Sequence, residues 1–167
     1  MPTSLILILI ALPLSAIEES KGSAGNFNRD FGFWIGEWET EASVMQDWTA
    51  IKQGTDSVRC TLNGRLIEEV FFKEEGVSFQ RGYLSYLQGQ NLWHHVIYDE
   101  KWGMYIFEGK MEDGKMVLTS TDKRPGLRRE TFYNITDDSF DYLWEGSSDG
   151  ETWSPVWRVK YKRKVTG

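Results

Sequence analysis

The chain of 167 residues has one cysteine, Cys60, so it cannot form an intramolecular disulfide bond. It also lacks a basic tract outside residues 158–164, where the basic side chains alternate with apolar ones. The net charge is −6, and a protein that binds nucleic acid usually needs a basic surface to contact the phosphates. Nucleic acid is therefore not an expected partner. Cys60 stands in a strand-like run, and we expect it to be a buried structural thiol.

No convincing helical periodicity occurs after residue 37. Residues 37–165 instead contain about ten short apolar-rich runs, and the regular spacing of the turns between them is typical of strands. Turn pairs such as Asn63-Gly64, Asp113-Gly114, Pro125-Gly126 and Asp149-Gly150 separate them. This spacing predicts an all-β domain, a single antiparallel up-and-down barrel of about eight to ten strands.

The strand boundaries follow from the apolar runs and the turn pairs between them. The predicted strands are 37–48, 54–62, 65–73, 77–87, 92–99, 103–110, 115–122, 127–135, 140–147 and 155–165. The last is the clearest, because Trp157, Val159 and Tyr161 alternate with basic residues. A period of two with one apolar face is typical of a half-buried antiparallel strand, so these three side chains should point inward.

The first 28 residues differ in composition from the rest. Residues 5–12 are an unbroken apolar run, small residues follow up to Ala16, and the first charged residue is Glu18. This pattern predicts a signal peptide over residues 1–16, a flexible leader over 17–28 and the barrel domain over 29–167. The apolar run is too short to span a bilayer. We therefore expect a periplasmic or secreted protein without a membrane anchor after cleavage.

His94 and His95 are the only histidines. Neighbouring residues on a strand point to opposite faces, so the two cannot chelate one metal ion together, and no metal site is predicted. His95 shares a face with Trp93 and Ile97. That face should look into the barrel, because an outward Trp93 would leave a large aromatic surface in water.

Charged residues also interrupt strand-like runs. Glu68 and Glu69 are adjacent, so one carboxylate can point inward, and Glu145 is a second inward candidate. Arg81 and Arg129 could neutralise such acids. An inward Arg–Glu pair is costly unless it is well hydrogen-bonded, so it would be either a structural network or an anchor for a polar ligand group.

An aromatic segment precedes the first strand, with the sequence Phe31-Gly32-Phe33-Trp34-Ile35-Gly36-Glu37-Trp38. Together with Phe79-Gln80-Arg81-Gly82, Ser148-Asp149-Gly150-x-Thr152-Trp153 and Tyr161-Lys162-Arg163, it resembles a family of secreted bacterial proteins of unknown function. The resemblance implies a lipocalin-like barrel in which the tryptophan of Gly-x-Trp, here Trp38, plugs one end. It implies no activity.

Nitrobindin-type haem barrels are similar at a greater distance, and their iron ligand is a histidine near the C-terminal strand. This chain has no histidine after His95, so haem is not expected. No hydrolase elbow, phosphate loop or zinc-ligand cluster occurs in the sequence either. We therefore predict no cofactor.

The leading hypothesis is a barrel that binds a small apolar or aromatic ligand in its interior. Aromatic lining would stack on the ligand, and charged or imidazole groups would orient it. The predicted ligand-binding residues are Arg81, Trp93, His95, Arg129, Trp144, Glu145, Trp157 and Tyr161. Two alternatives remain: a small hydrolase- or isomerase-type enzyme using His95 or Glu145 as general acid/base, and an interaction module that uses an aromatic patch on the outer face.

Overall fold

The computed structural model describes residues 30–44, 47–72, 78–101, 103–122 and 125–165. The predicted signal peptide and leader lie outside these residues. A 3-10 helix, Gly32–Trp34, precedes ten strands in the described part of the chain. These are β1 (Gly36–Val44), β2 (Asp47–Thr61), β3 (Leu66–Phe72), β4 (Ser78–Leu87), β5 (Leu92–Asp99), β6 (Met104–Glu112), β7 (Lys115–Ser120), β8 (Leu127–Tyr133), β9 (Ser139–Ser147) and β10 (Ser154–Arg163).

The strands form one closed antiparallel barrel. Each pairs with its neighbour in sequence, and β10 returns to pair with β1. Thr40 lies opposite Tyr161 across this last seam and opposite Gly54 on the other side. The predicted fold class, an all-β up-and-down barrel of eight to ten strands, is confirmed. None of the helices in the described residues is long and apolar enough to cross a bilayer.

The turns between β2 and β3 and between β6 and β7 lie where the sequence predicts them. At the β6–β7 turn, Asp113 and Gly114 have φ values of 48° and 76°, which suit a tight hairpin whose twist matches that of the strands. The β2–β3 turn is longer and has three consecutive positive φ values, 49° at Leu62, 55° at Asn63 and 82° at Gly64. Asn, Asp and Gly tolerate such values best.

The first predicted strand, 37–48, is divided in the structure. β1 ends at Val44, and Val44 pairs with Asp47 at the start of β2, seven residues before the predicted start of the second strand. No Gly, Pro, Asn or Asp stands between Val44 and Asp47, so this reversal carries no turn signature in the sequence.

We call the end where the 3-10 helix meets the start of β1 and the end of β10 the closed end. Aromatic side chains fill it, and six of them are at most 2% exposed: Phe31, Trp34, Trp38, Trp93, Phe132 and Phe140. The indole of Trp38 donates a hydrogen bond to the Trp34 carbonyl at 2.7 Å. The predicted position of Trp38, buried at this end, is confirmed.

Arg163 fastens the aromatic segment to the end of β10. Its guanidinium donates to the carbonyls of Phe33 and Ile35, both at 2.9 Å, and lies 4.2 Å from the centre of the Trp38 ring. Orphan carbonyls of a short helical turn need such partners when they are shielded from water. The closed end is thus a packed plug with its backbone polar groups paired.

One expectation about packing is wrong. Cys60 is exposed rather than buried. It lies next to the last residue of β2, where the strand runs out toward the Asn63-Gly64 turn. A strand-like context therefore does not guarantee burial near a strand end.

Candidate functional site

The opposite end of the barrel, where β1 ends and β10 begins, is the open end. It holds a cavity of about 410 Å³, and the lining includes four aromatic rings: Phe71, Phe72, Phe79 and Trp157. Lys52, Gln53, Glu100 and Lys101 supply its polar rim, and Thr40 reaches it from below. Mostly apolar walls with a few polar groups are typical of small-molecule sites in barrels.

A second cavity of about 290 Å³ adjoins the first and shares Phe79, Val156 and Trp157 with it. Tyr105 and Trp144 extend the aromatic wall on this side. The shared residues form a partition, because the Trp157 ring packs edge-on against Phe79 and Phe71 at centroid distances of 6.0 and 5.7 Å. The open end therefore holds two neighbouring aromatic compartments.

Beneath the cavities lies a cluster of buried polar side chains. His95 Nδ1 and Glu130 Oε1 are 2.6 Å apart, and the Tyr142 hydroxyl donates to Glu130 Oε2 at 3.1 Å. His95 and Glu130 are 1% and 0% exposed. A hydrogen bond this short between two buried side chains fixes the orientation of the imidazole ring.

Glu69 faces the other side of the imidazole. Its Oε2 lies 3.9 Å from His95 Nε2, beyond hydrogen-bond distance, and it accepts a bond from Gln80 Nε2 at 3.2 Å. Gly82 makes room for this arrangement, since a Cβ at that position would contact Glu69 Oε2 and come within 2.7 Å of His95 Nε2. Gln80 also lines the second cavity, so it links the cavity to the cluster.

Burial and neighbouring charges shift the pKa values of this cluster. Burial raises the pKa of Glu69 to about 7, against the opposing effects of His95 and the Gln80 hydrogen bond. Burial lowers the pKa of His95, but the Glu130 carboxylate, through its charge and its hydrogen bond, and then Glu69 outweigh it, so the pKa is raised overall. Glu69 therefore titrates near neutral pH although it is buried.

Asp56 is a further acid on the inner face of the barrel. It is 0% exposed, and its Oδ2 accepts a hydrogen bond from the Trp34 indole at 3.2 Å. Burial, reinforced by the charge of Glu69, raises its pKa well above the usual value. Within the described residues, three buried polar atoms have no hydrogen-bond partner: Asp56 Oδ1, Thr40 Oγ1 and His95 Nε2.

Arg129 and Glu145 form an ion pair on the outer side of the barrel, with Nη2 and Oε2 2.8 Å apart. They are direct partners in the β8–β9 register, next to the inward pair Glu130 and Trp144. The inward position considered for Glu145 is therefore not found. The Arg129 guanidinium stacks on Trp153 at 4.3 Å, which covers the pair from outside.

The other predicted site residues separate by depth. Trp144 and Trp157 line the cavities. Trp93, His95 and Tyr161 point inward as expected but lie deeper, fully buried. Arg81 faces solvent between the inward residues Gln80 and Gly82. Their roles in ligand binding stay predictions.

Sequence reasoning missed three polar residues of the inner face: Asp56, Gln80 and Glu130. A signal for them exists, because each stands two residues from an inward residue, as Glu130 does from Phe132 and Asp56 from Val58. In the part of the chain that the structure describes, no group of three His, Cys, Asp or Glu side chains is arranged to hold a metal ion.

No family model matches the sequence, and no curated protein matches it either. Membership in the secreted family suggested by the N-terminal aromatic motif thus stays a prediction. Among solved structures, the chain is similar to Rv2717c from M. tuberculosis, with a TM-score of 0.56 and 9% identity over 81% of this chain and 95% of that chain.

It is also similar to the S-type phycobiliprotein lyase CPES from Guillardia theta, with a TM-score of 0.53 and 9% identity over 82% of this chain and 92% of that chain. A protein of unknown function from the DUF3598 family of Nostoc punctiforme aligns with a TM-score of 0.49 and 15% identity, over 80% of this chain and 48% of that chain. At 9% identity the first two likenesses establish a lipocalin-like, calycin-type fold.

Proposed function

We propose that this barrel binds a small, largely apolar or aromatic ligand in the cavity at its open end. The observation that carries the proposal is the aromatic cavity of about 410 Å³, which lies within the usual size range of ligand pockets. Phe71, Phe79 and Trp157 offer ring faces and edges on which an aromatic body can stack. The likeness to a phycobiliprotein lyase is compatible with this use of the fold.

The contrast with the rest of the interior supports the same location. Trp93 and Tyr161, which the sequence also suggested as ligand contacts, are 0% and 4% exposed and pack against other aromatic rings. A ligand would have to displace those rings to reach them, and displacing well-packed aromatic side chains costs several kcal/mol, on the order of 3–5. The open end requires no such displacement.

A neutral aromatic probe, 1-naphthalenemethanol, tests the proposal. We expect saturable binding with one site per chain, detected by calorimetry. Ala42 lines the cavity, so Ala42→Phe should fill it and abolish binding, while Ser43→Phe, which puts the same ring on the outer side of β1, should leave binding intact. Equal affinity in the two variants, or no saturable binding to the unmodified protein, would contradict the proposal.

The two alternative functions receive less support from the structure. The enzyme alternative needs His95 or Glu145 at the cavity, but His95 is 1% exposed and Glu145 pairs with Arg129 on the outer side. The interaction alternative needs an outer aromatic patch. Among the described residues, Tyr98 is the one aromatic side chain that is exposed, and a single ring does not make a patch.

We also propose that the protein is exported, on the strength of the apolar run at residues 5–12 and the small residues that end at Ala16. Expression of the full chain in a bacterium with intact secretion should release a product that begins at Ile17. Mass spectrometry of the product checks this, and an uncut product retained in the cytoplasm would refute export.

A further inference from the structure

The interior of the barrel holds more acid than base. Asp56, Glu69 and Glu130 are each at most 3% exposed. Of the basic side chains that the structure describes, His95 is the one in ion-pair contact with Glu69 and Glu130. Buried carboxyl groups without a matching cation either stay protonated or attract positive charge, because an isolated buried charge is very costly.

The floor of the main cavity carries an unused polar atom. Thr40 lines the cavity and is 0% exposed, yet its Oγ1 has no hydrogen-bond partner. Such a hydroxyl, if left unsatisfied, destabilises the fold, so a bound group that reaches it gains a hydrogen bond at no competing loss. Thr40 is therefore a point at which a polar ligand group can attach.

Asp56 lies one inward position deeper than this floor, opposite Trp38. On β2 it is the next inward residue after Gly54, which pairs with Thr40, and it lies opposite Phe71 of the cavity wall. Its Oδ1 is the second buried oxygen without a partner, since Oδ2 is already bonded to Trp34. The two unpartnered oxygens, Thr40 Oγ1 and Asp56 Oδ1, thus belong to successive inward positions of neighbouring strands.

Gln80 adds a third acceptor from the second cavity. The Gln80 Nε2 donates a hydrogen bond to Glu69. The other end of the amide is the carbonyl oxygen, which is a hydrogen-bond acceptor. The Thr40 hydroxyl, the Asp56 carboxyl and the Gln80 carbonyl can therefore each accept a hydrogen bond from a ligand group that donates. Lys52 and Lys101 lie at the exposed rim, where water and salt screen their charge.

We propose, on the basis of the ligand-binding function proposed above, that the natural ligand is an aromatic amine whose positively charged amino group lies at the cavity floor, near Thr40 and Asp56. The aromatic body packs against Phe71, Phe79 and Trp157. The ammonium group donates to the two unpartnered oxygens and offsets the excess of buried carboxyl groups.

Three matched naphthalene compounds test this: the amine 1-naphthylmethylamine, the alcohol 1-naphthalenemethanol and the carboxylate 1-naphthaleneacetate, measured by calorimetry at pH 7. We expect the amine to bind at least tenfold more tightly than the other two, as charge-assisted hydrogen bonds are worth roughly this factor or more. Equal affinities for the three would overturn the amine proposal and leave the cavity function standing.

Tightest binding of the carboxylate would also overturn it and would point to Lys52 and Lys101 at the rim. Absence of binding by all three would contradict the cavity function itself, so the two failures are distinguishable. Thr40→Val and Asp56→Asn should each reduce the preference for the amine by about tenfold. Thr55→Val, on the outward-facing neighbour of Gly54 and Asp56, is the matched control and should leave it unchanged. An unchanged preference in both inner variants would overturn the assignment of the floor.

Discussion

The two ends of this barrel use the same residue types for opposite purposes. At the closed end, Phe31, Trp34 and Trp38 are at most 1% exposed, and Arg163 ties their segment to β10. At the open end, Phe79 and Trp157 are only half-buried and border two cavities. Aromatic content alone therefore does not locate a binding site; what matters is whether the rings fill the space between strands or only line it.

The buried polar cluster lies between these ends. His95 is in contact with the aromatic plug through Trp34, whose ring centre is 6.0 Å away, and with the open end through Glu69 and Gln80. Buried hydrogen-bonded groups resist rearrangement, because breaking one partner leaves another unsatisfied. The cluster thus separates the aromatic plug from the half of the barrel that holds the two cavities.

The largest expected effect is on the closed end. Trp38→Ala should lower the free energy of unfolding by about 3–5 kcal/mol, as for other fully buried aromatic residues. Trp157→Ala should cost only about 1–2 kcal/mol, since its ring is half-buried and already borders empty space. Denaturant titration of both variants gives the comparison. Similar losses would remove the distinction between plug and cavity wall.

The pH dependence of stability sharpens the role of the cluster. The pKa of Glu69 is about 7 in the folded state, against an ordinary value of 4.5, so the folded protein keeps a proton that the unfolded chain has released. Raising the pH from about 4.5 to 7 should therefore lower the free energy of unfolding, by on the order of 3 kcal/mol. The raised pKa of His95 also lowers the free energy of unfolding as the pH rises above 6.5. The raised pKa of Asp56 does the same as the pH rises above 3.8.

Glu69→Gln should flatten this decline, because the variant carries no titrating group at that position. Its neighbour Glu68 points outward and pairs with the exposed Arg59 at 2.9 Å, so Glu68→Gln is the control and should keep the decline. Denaturant titrations between pH 4.5 and 8 supply the measurement. A profile that rises with pH in the unmodified protein would show that the assigned direction of the Glu69 shift is wrong.

A smaller loss of stability is expected at Gly82, where the buried polar cluster leaves no room for a side chain. Gly82→Ala would push a methyl group against Glu69 Oε2 and to within 2.7 Å of His95 Nε2. We expect a loss of about 1–3 kcal/mol, typical of overpacked interiors. Gly89→Ala, at a turn where nothing lies within 4 Å, should change stability by less than about 0.5 kcal/mol. Equal melting temperatures for both variants would mean that the buried polar cluster around His95 is loosely packed.

Much of the fold could be predicted from the sequence, because its determinants are local. Turn pairs such as Asn63-Gly64 set the number of strands, and the inward face of Trp93 and His95 followed from burial of the larger ring. The reversal after Val44 could not be predicted, since no turn-forming residue marks it. Its position depends on pairing between β1 and β2, which is a property of the closed barrel.

The site was less predictable, because the side of the barrel to which a side chain points depends on how neighbouring strands pair. Tyr142, Leu143 and Trp144 are all apolar, so alternation does not decide which side Glu145 takes. Pairing of Glu145 with Arg129 across β8 and β9 decides it, and it puts both on the outer side. Similarly, Glu130 contacts His95 from 35 residues away in sequence, a distance over which pattern carries no information.

The most direct measurement is chemical-shift mapping of the backbone amides of the full chain during titration with 1-naphthalenemethanol. The account predicts that the shifts concentrate at the open end, at residues such as Val44, Gly54, Phe79, Lys101 and Trp157. Amides of Trp34, Trp38 and Phe140 in the closed end should not move. Shifts that concentrate at the closed end, or that scatter over the outer face, would contradict the claim that the open end is the binding half of the molecule.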